Sequence, residues 1–321
     1  MSDFQKPLDF KAFRDKYQHA PVEEYPNRVC EVMPEPMVSV HVSTYQHAEF
    51  IRDCLDGVLM QETNFPFEII IGEDESNDGT REICKEYADQ YPEQIRLFLH
   101  RRENNIAIHG RPTGRFQFMY SYFVARGKYI ATCEGDDYWT DPTKLQSQID
   151  FMEKKKACSL SFHGWLYEGR DSIEKRPHLC SSVFELSKVD LFEKNTEMLS
   201  MDAFLFLQSK IKSSVLFIDE IKPSVHIDTK KGIYSSYDTV YRSFYSAASR
   251  VKMHSIYGKN EKLMKELVYW TSNFMERCFS YRNKRLALYF LINVGCESPV
   301  LLLDISFWKG AIRGIVNGIK G

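Results

Sequence analysis

Between residues 37 and 156, short β-branched runs alternate with stretches whose apolar residues recur at helical spacing. Residues 38–42 form the first run, and Ile51, Leu55, Val58 and Leu59 follow as one helix face. Residues 67–71 form the second, after which Thr80 is placed to cap a helix carrying Ile83, Tyr87 and Ala88 inward. Residues 95–99 make a third strand, residues 116–124 a helix and residues 129–133 a fourth strand. Asp141-Pro142 then reads as an N-cap with proline at the first helical position, opening a helix with Leu145, Ile149 and Met152 inward. Alternation of this kind builds βαβ units, so the expected fold class is α/β, a mostly parallel sheet flanked by helices on both faces.

The outer regions read differently. Residues 1–36 are polar and carry five prolines, which suits a leader that packs on or trails from the domain. Beyond Lys156 the pattern is looser, with strands expected at 158–162 and 215–218, helices at 201–208, 236–248 and 259–279, and no internal repeat. Residues 286–303 come nearest to a membrane span, but Glu297, Ser298 and Pro299 divide them into halves too short to cross. The tail from Pro299 has a partly amphipathic character, with Leu302, Ile305, Phe307, Ile312, Ile315, Val316 and Ile319 alongside Trp308, Lys309, Arg313 and Lys320. Such a helix suits a membrane surface, a dimer contact or closure of the core.

Composition narrows the partners. The 321 residues hold 42 Lys plus Arg against 44 Asp plus Glu, a formal charge of −2, which argues against a nucleic-acid binder that neutralises phosphates. With 43% hydrophobic and 27% charged residues the chain is an ordinary globular one. Its 18 Tyr and 22 Phe suit thick cores, or a surface that meets sugars or lipid head groups. Eight cysteines lie far apart with no CxxC pair, as expected of reduced thiols, and the start MSDFQKPLDF has no signal-peptide pattern. A cytoplasmic location is expected.

In a parallel sheet ligands bind at the carboxyl ends of the strands, where the loops here read STYQ, GEDESNDGT and EGDDYW. The stretch Glu134-Gly135-Asp136-Asp137 crowds three carboxylates into four residues, an arrangement that calls for a cation or for water. Hard oxygen ligands suit Mg²⁺ or Mn²⁺, and a solvated acidic turn is the competing reading. The second loop lacks the ligand spacing of a helix-loop-helix calcium site. Asp74 can accept a hydrogen bond from a nucleobase ring N–H while Asp78 and Thr80 cap the helix. In the first loop Tyr45 can stack on a base with Ser43 bonding to it, although an aromatic after a strand also serves simple packing.

Three segments, VSVHVSTYQHAEFIRDCLDGVLMQ, FEIIIGEDESNDGTREICKEYA and ARGKYIATCEGDDYWTDPTKLQSQIDFMEKK, in this order and spacing, closely resemble the nucleotide-sugar-binding half of family 2 glycosyltransferases. The resemblance covers about residues 37–156 and implies a GT-A fold and inverting transfer by a single displacement. It implies that Ser43, Tyr45 and Asp74 hold the nucleotide base, usually uracil. It implies too that the acidic motif holds a divalent metal, Mn²⁺ or Mg²⁺, and the ribose-diphosphate. Because Glu134 stands where the family's D-x-D-D pattern starts, metal contact is assigned to Asp136 and Asp137, and nucleotide-sugar contact to Asp136.

The family's general base lies on a helix well downstream, and the segment MLSMDAFLFL places Asp202 there, with an N-cap role as the alternative and Asp190 and Glu193 as fallbacks. His226, in PSVHIDTKKGIYSS, stands near a Tyr-Arg-x-His element whose arginine is missing, so a structural role is preferred over metal or diphosphate contact. His109, Arg111 and Arg115 either clamp diphosphate or form a solvated loop, and Trp139 either borders the sugar pocket or packs as core.

The resulting expectation is a leader over 1–36, a GT-A domain over 37–235 (nucleotide-sugar half 37–156, acceptor half 157–235) and a helical C-terminal extension over 236–321. The expected function is metal-dependent transfer from a nucleotide-diphospho-sugar, a UDP-sugar first among donors, to a hydroxyl of a glycan or lipid-linked acceptor in cell-surface polysaccharide synthesis. The expected setting is the cytoplasm, peripheral on the inner face of the membrane, with no nucleic-acid partner. The alternative is a non-catalytic glycan- or membrane-binding scaffold with a degenerate acceptor site. A nucleotidyltransferase is disfavoured by the missing phosphate loop, and a dinucleotide-binding oxidoreductase by the missing GxGxxG after the first strand.

Overall fold

The computed structural model describes residues 22–108, 111–188, 201–229 and 239–320. The strands are β1 (Glu23–Glu24), β2 (Val38–Thr44), β3 (Phe67–Glu73), β4 (Ile95–Leu99), β5 (Ala107–Ile108), β6 (Arg111–Pro112), β7 (Tyr129–Glu134), β8 (Asp137–Tyr138), β9 (Cys158–His163), β10 (Trp165–Tyr167), β11 (Ser182–Glu185), β12 (Ser214–Ile218) and β13 (Ser224–His226). The helices are α1 (Val29–Val32), α2 (Ile51–Leu59), α3 (Thr80–Gln90), α4 (Arg115–Val124), α5 (Lys144–Lys154), α6 (Met201–Lys212), α7 (Thr239–Tyr257), α8 (Glu261–Ser280), α9 (Lys284–Glu297) and α10 (Ile305–Lys320). They form two compact units, one holding the strands with α1–α5, the other holding α6–α10.

The first unit is built on a sheet in the order β1-β4-β3-β2-β7-β11-β9-β12. Its centre is parallel, with β2 between β3 and β7 and β3 beside β4. These strands are buried on both faces, so β3 carries three consecutive isoleucines, while β2 alternates its valines with the equally buried Ser39 and His41. Val38, Val40, Val42, Ile69, Ile71 and Leu97 share a core with Ile51, Leu55 and Val58 of α2 and Cys84 and Tyr87 of α3. On β2 the residues between those valines include His41, whose ring meets Phe118 and Tyr122 of α4 edge-on at 4.9 and 5.5 Å. The α/β expectation and the helical C-terminal extension both hold.

Several local expectations are corrected. Helix α3 takes Gly79 as its N-cap, at φ 103°, rather than Thr80. Asp78 accepts from the Thr80 N–H at 3.0 Å, closing the turn before the helix. Asp141 likewise lies before α5, which starts at Lys144 after Thr143, and accepts from the Thr143 N–H at 2.9 Å. The polar leader yields an edge strand, since β1 pairs antiparallel with β4. Among the features that went unforeseen are β11, antiparallel between β7 and β9, and a separate small sheet of order β10-β13-β8. All eight cysteines are free thiols, six of them buried.

The amino-end side of the central strands is braced by a buried carboxylate. Glu68 of β3 accepts from Ser39 Oγ at 2.6 Å and from Arg126 Nη2 at 2.7 Å, with Arg96 Nη1 at 3.5 Å. In the second unit, Phe244, Val251, Leu267, Phe274, Phe290, Val294 and Phe307 form the shared core of α7–α10. No helix among the described residues is long and apolar enough to cross a membrane.

Removing one partner from a buried ion network leaves the others desolvated and unpaired. Glu68→Ala is therefore expected to destabilise the protein by about 3–5 kcal/mol, read as a lower urea midpoint. A loss below about 1 kcal/mol would mean that the network behaves as a solvent-screened surface pair.

Candidate functional site

The parallel pairing of β3, β2 and β7 aligns Ser43 with Gly72 on one side and Glu134 on the other, so the three acidic or polar loops leave the sheet together. Backbone bonds tie them: the Asp74 N–H donates to Thr44 O at 3.1 Å and the Gly135 N–H to Ser43 O at 2.8 Å. Gly135 is required by this closeness, because a Cβ there would lie 2.6 Å from Thr44 Oγ1 and 2.9 Å from His47 Nδ1. The first and second loops are laced by side chains. Ser76 Oγ accepts from the Gln46 N–H at 2.9 Å, Thr80 Oγ1 from the His47 N–H at 2.8 Å, and Asp78 from the Ala48 N–H at 3.1 Å. Glu73 is wholly buried, accepts from the Ser76 N–H and pairs with Arg81. Asp78 and Thr80 thus hold the loop in shape.

Asp74 is buried at the end of β3. Its Oδ2 accepts from Arg102 Nη1 at 2.6 Å and from Asn105 Nδ2 at 2.9 Å, while Oδ1 is buried and has no hydrogen-bond partner among the described residues. Burial pushes the Asp74 carboxyl up to about 6, against the opposing pull of Asn105 and Arg102. The Arg102 guanidinium also lies 3.9 Å from the centroid of the Tyr45 ring, which is 38% exposed. Tyr45, Arg102 and Asp74 therefore form one stack, and Arg102 is a site residue that the sequence reading passed over. The only signal for it was a basic loop after the third strand. His109 and the side chain of Arg111 lie outside the described residues, and Arg115 is buried at the start of α4.

The third loop splits its carboxylates. Asp136 is partly exposed, with Oδ2 at 3.7 Å from His47 Nε2. Asp137 is buried: Oδ1 accepts from the Ile227 N–H at 3.2 Å and lies 2.7 Å from His226 Nδ1. The register of the small sheet, which sets His226 opposite Asp137, makes this pair. The remaining oxygen, Oδ2, is buried, accepts no hydrogen bond among the described residues and lies 4.0 Å from His178 Nδ1. Burial raises the Asp137 carboxyl to about 6 despite His226. Burial alone would lower His226, but the Asp137 carboxylate outweighs it and leaves the imidazole raised.

Behind this pair the His178 and His226 rings lie 4.5 Å apart, and His178 Nδ1 lies 3.0 Å from Cys180 Sγ. Asp137, His178 and Cys180 bring ligand atoms within 4.8 Å of one another. Burial holds the Cys180 thiol protonated and drives His178 down to about 3. His226, for which a structural role is preferred from the sequence, is held against Asp137 of the acidic motif. Trp139 settles as core, almost fully buried under the Lys144 ammonium 3.9 Å away.

Asp202 belongs to the other unit. Helix α6 begins at Met201, so Asp202 is half-buried inside the first turn rather than in the N-cap position. A carboxylate there is stabilised by the helix dipole. Asp190 and Glu193 lie outside the described residues. The helical unit also holds a groove of about 740 Å³ between α8 and α10, but its lining has no histidine, cysteine or aspartate.

The architecture, a mostly parallel sheet with an acidic loop at the carboxyl end of β7, is that of GT-A glycosyltransferases. Two solved structures share the fold. S. aureus TarS 1-349 in complex with UDP-GlcNAc superposes with a TM-score of 0.57 at 14% identity, over 88% of this chain and 89% of that one. The mannosyltransferase PcManGT from Pyrobaculum calidifontis, in complex with GDP-Man and Mn²⁺, gives 0.54 at 15% identity over 98% and 94%. The sequence profile of Glycosyl transferase family 2 matches residues 39–213, and the chain belongs to that family.

Among curated relatives, an uncharacterized Mycobacterium tuberculosis protein, Rv1520, is 42% identical over 126 residues, 39% of this chain and 34% of that protein. The putative teichuronic acid biosynthesis glycosyltransferase TuaG of Bacillus subtilis is 32% identical over 151 residues, 46% of this chain and 55% of its own. The matches thus span between about a third and a little over half of these relatives.

The raised Asp74 carboxyl has a thermodynamic consequence. Between the unfolded value near 4 and the folded value of about 6 the native state binds more protons than the unfolded state, so this group's contribution falls as pH rises through that window. Asp74→Asn, which cannot ionise, is expected to be more stable than the parent by about 1–3 kcal/mol near pH 7, with the gap closing towards pH 4. Urea unfolding at several pH values measures it, and a variant less stable than the parent at neutral pH would contradict it.

Proposed function

We propose that the chain is a metal-dependent inverting glycosyltransferase. It moves a sugar from a nucleotide-diphospho-sugar, a UDP-sugar before others, to a hydroxyl of a glycan or lipid-linked acceptor in cell-surface polysaccharide synthesis, working as a peripheral protein on the cytoplasmic side of the membrane. One observation carries the reading. At the carboxyl ends of β3 and β7, Asp74 Oδ1 and Asp137 Oδ2 are buried carboxylate oxygens left without hydrogen-bond partners among the described residues. Buried acceptors are normally satisfied, and these two face the needs of two parts of one donor: a base N–H and a cation. UDP-GlcNAc on TarS, GDP-Man and Mn²⁺ on PcManGT, and the teichuronic acid role in the name of TuaG support the substrate class.

In this reading Tyr45 stacks on the base, Ser43 bonds to it and Asp74 accepts its ring N–H. Asp136, at the partly exposed rim, takes the ribose-diphosphate and shares a divalent ion with Asp137. Mn²⁺ or Mg²⁺ would fit the donor set, since among the described residues Asp137 keeps one oxygen without a partner while His226 and the Ile227 N–H hold the other. Such an ion neutralises charge developing on a departing diphosphate. His226 fixes the orientation of the Asp137 carboxylate. Asp202 is the proposed base, taking the proton of the attacking acceptor hydroxyl as the bond to the anomeric carbon forms on the face opposite the leaving diphosphate.

Purified protein with Mn²⁺, offered a panel of UDP-, GDP- and dTDP-sugars, is expected to release the nucleotide from at least one, seen by mass spectrometry. Silence across the panel overturns the reading, and binding without transfer would favour the scaffold. Asp202→Asn is expected to keep nucleotide affinity while cutting transfer by roughly 10²–10⁴-fold, and normal turnover would remove Asp202 from the mechanism. Asp74→Asn is expected to weaken UDP binding by roughly ten- to a hundredfold, the ~1.5–3 kcal/mol of a hydrogen bond to a charged group. Unchanged affinity by calorimetry would take Asp74 out of base recognition.

A further inference from the structure

Helix α10 packs on α8 through Gly310, Gly314 and Gly318, one glycine at nearly every turn. A Cβ at these positions would come within 2.8 Å of Val268 O, 2.1 Å of Ser272 O and 2.3 Å of Glu276 O. No side chain can be accommodated along that line, so the rotation of α10 about its own axis is fixed by three successive backbone contacts. The face turned outward is therefore determined by sequence position. It carries Ile305, Ile312, Val316 and Ile319, which are 72%, 57%, 42% and 70% exposed. At 100° per residue these four fall within an arc of about 60°.

A helix on a water-facing surface carries polar residues on its outer side. The outer side of α10 is branched aliphatic, bordered by exposed Lys309 and Arg313, and the helix contains no acid. Among the described residues neither cation pairs with a carboxylate. Neighbouring elements repeat the pattern. Leu288, Tyr289 and Ile292 are exposed on α9 behind Lys284 and Arg285, and Leu303 is exposed in the turn between the helices. Residues 281–321 contain six basic and two acidic side chains in a chain whose net charge is −2. Both acids are occupied elsewhere, Glu297 by Lys252 at 3.0 Å and Asp304 by Lys259 at 2.9 Å.

We propose that the outward face of α10 docks on an anionic phospholipid bilayer, the helix lying in the headgroup plane with its isoleucines inserted and Lys309 and Arg313 at the phosphates. The charge pattern selects this occupant over a second copy of the chain. Two α10 faces brought together would oppose cations with no acid in either helix to answer them. The inference deepens the peripheral-membrane part of the function proposed above, yet docking does not require that transfer occur, so the two can fail separately.

The test is flotation of the full-length protein with vesicles of phosphatidylcholine alone and of phosphatidylcholine mixed with phosphatidylglycerol. Binding is expected only with phosphatidylglycerol and is expected to fall as salt rises. Ile312→Glu combined with Ile319→Glu is expected to abolish it. Lys309→Gln with Arg313→Gln, which leaves the packed face untouched and serves if the first variant does not fold, is expected to lower affinity about 30-fold. Circular dichroism and UDP binding should be unchanged in both. Absence of flotation, equal binding to neutral vesicles, or wild-type binding by the lysine–arginine variant overturns the proposal. A dimer in sedimentation equilibrium that the isoleucine variant dissociates also overturns it, by assigning the face to a second copy.

Discussion

The meeting of the three loops at the candidate site depends on the parallel pairing of β3, β2 and β7. In a parallel sheet all chain ends of one sense lie along one edge, so three loops far apart in sequence become neighbours through main-chain hydrogen bonds alone. Because both faces of these strands are covered, a one-residue slip would turn valines towards the packing of His41 and bring His41 into the valine core, so the register is strongly specified. The loops inherit that precision, and the bonds from Gly135 to Ser43 and from Asp74 to Thr44 carry it past the strand ends.

The same edge is where stability is given up. Glu68, at the opposite end of β3, is buried with its oxygens engaged by Ser39 and Arg126. Asp74 and Asp137 are buried with one oxygen each engaged and one without a hydrogen-bond partner among the described residues, and both are pushed up to about 6. A carboxylate kept ionised and half satisfied in a low-dielectric setting is a strained arrangement that a ligand can relieve. The two ends of β3 thus contrast a fully engaged carboxylate, Glu68, with a half-engaged one, Asp74.

Much of this was legible in the residues. Strand and helix periods located β2, β3, β4 and β7 to within two residues, because buried strands are rich in apolar, often β-branched residues and their helices leave one apolar stripe. The acidic loop stood out through its charge density. What stayed hidden depends on register between distant segments. His226 reaches Asp137 only because β13 pairs with β8, two- and three-residue strands that carry no readable period. Arg102 meets Tyr45 and Asp74 only because β4 lies beside β3. The glycines of α10 gain their meaning only from the α8 carbonyls that they meet, which no spacing within α10 discloses.

The Arg102 guanidinium occupies one face of Tyr45 while holding Asp74. In the function proposed above, a flat aromatic guest stacking on that face would displace the guanidinium from the ring, while Asp74 Oδ1 stays open to its N–H. The free energy of such stacking would then be a difference between two occupants of one slot, the guest and the guanidinium that it replaces on Tyr45. A released Arg102 would then be a positive charge set loose at the moment an anionic guest arrives, which couples emptying the slot to attracting what fills it.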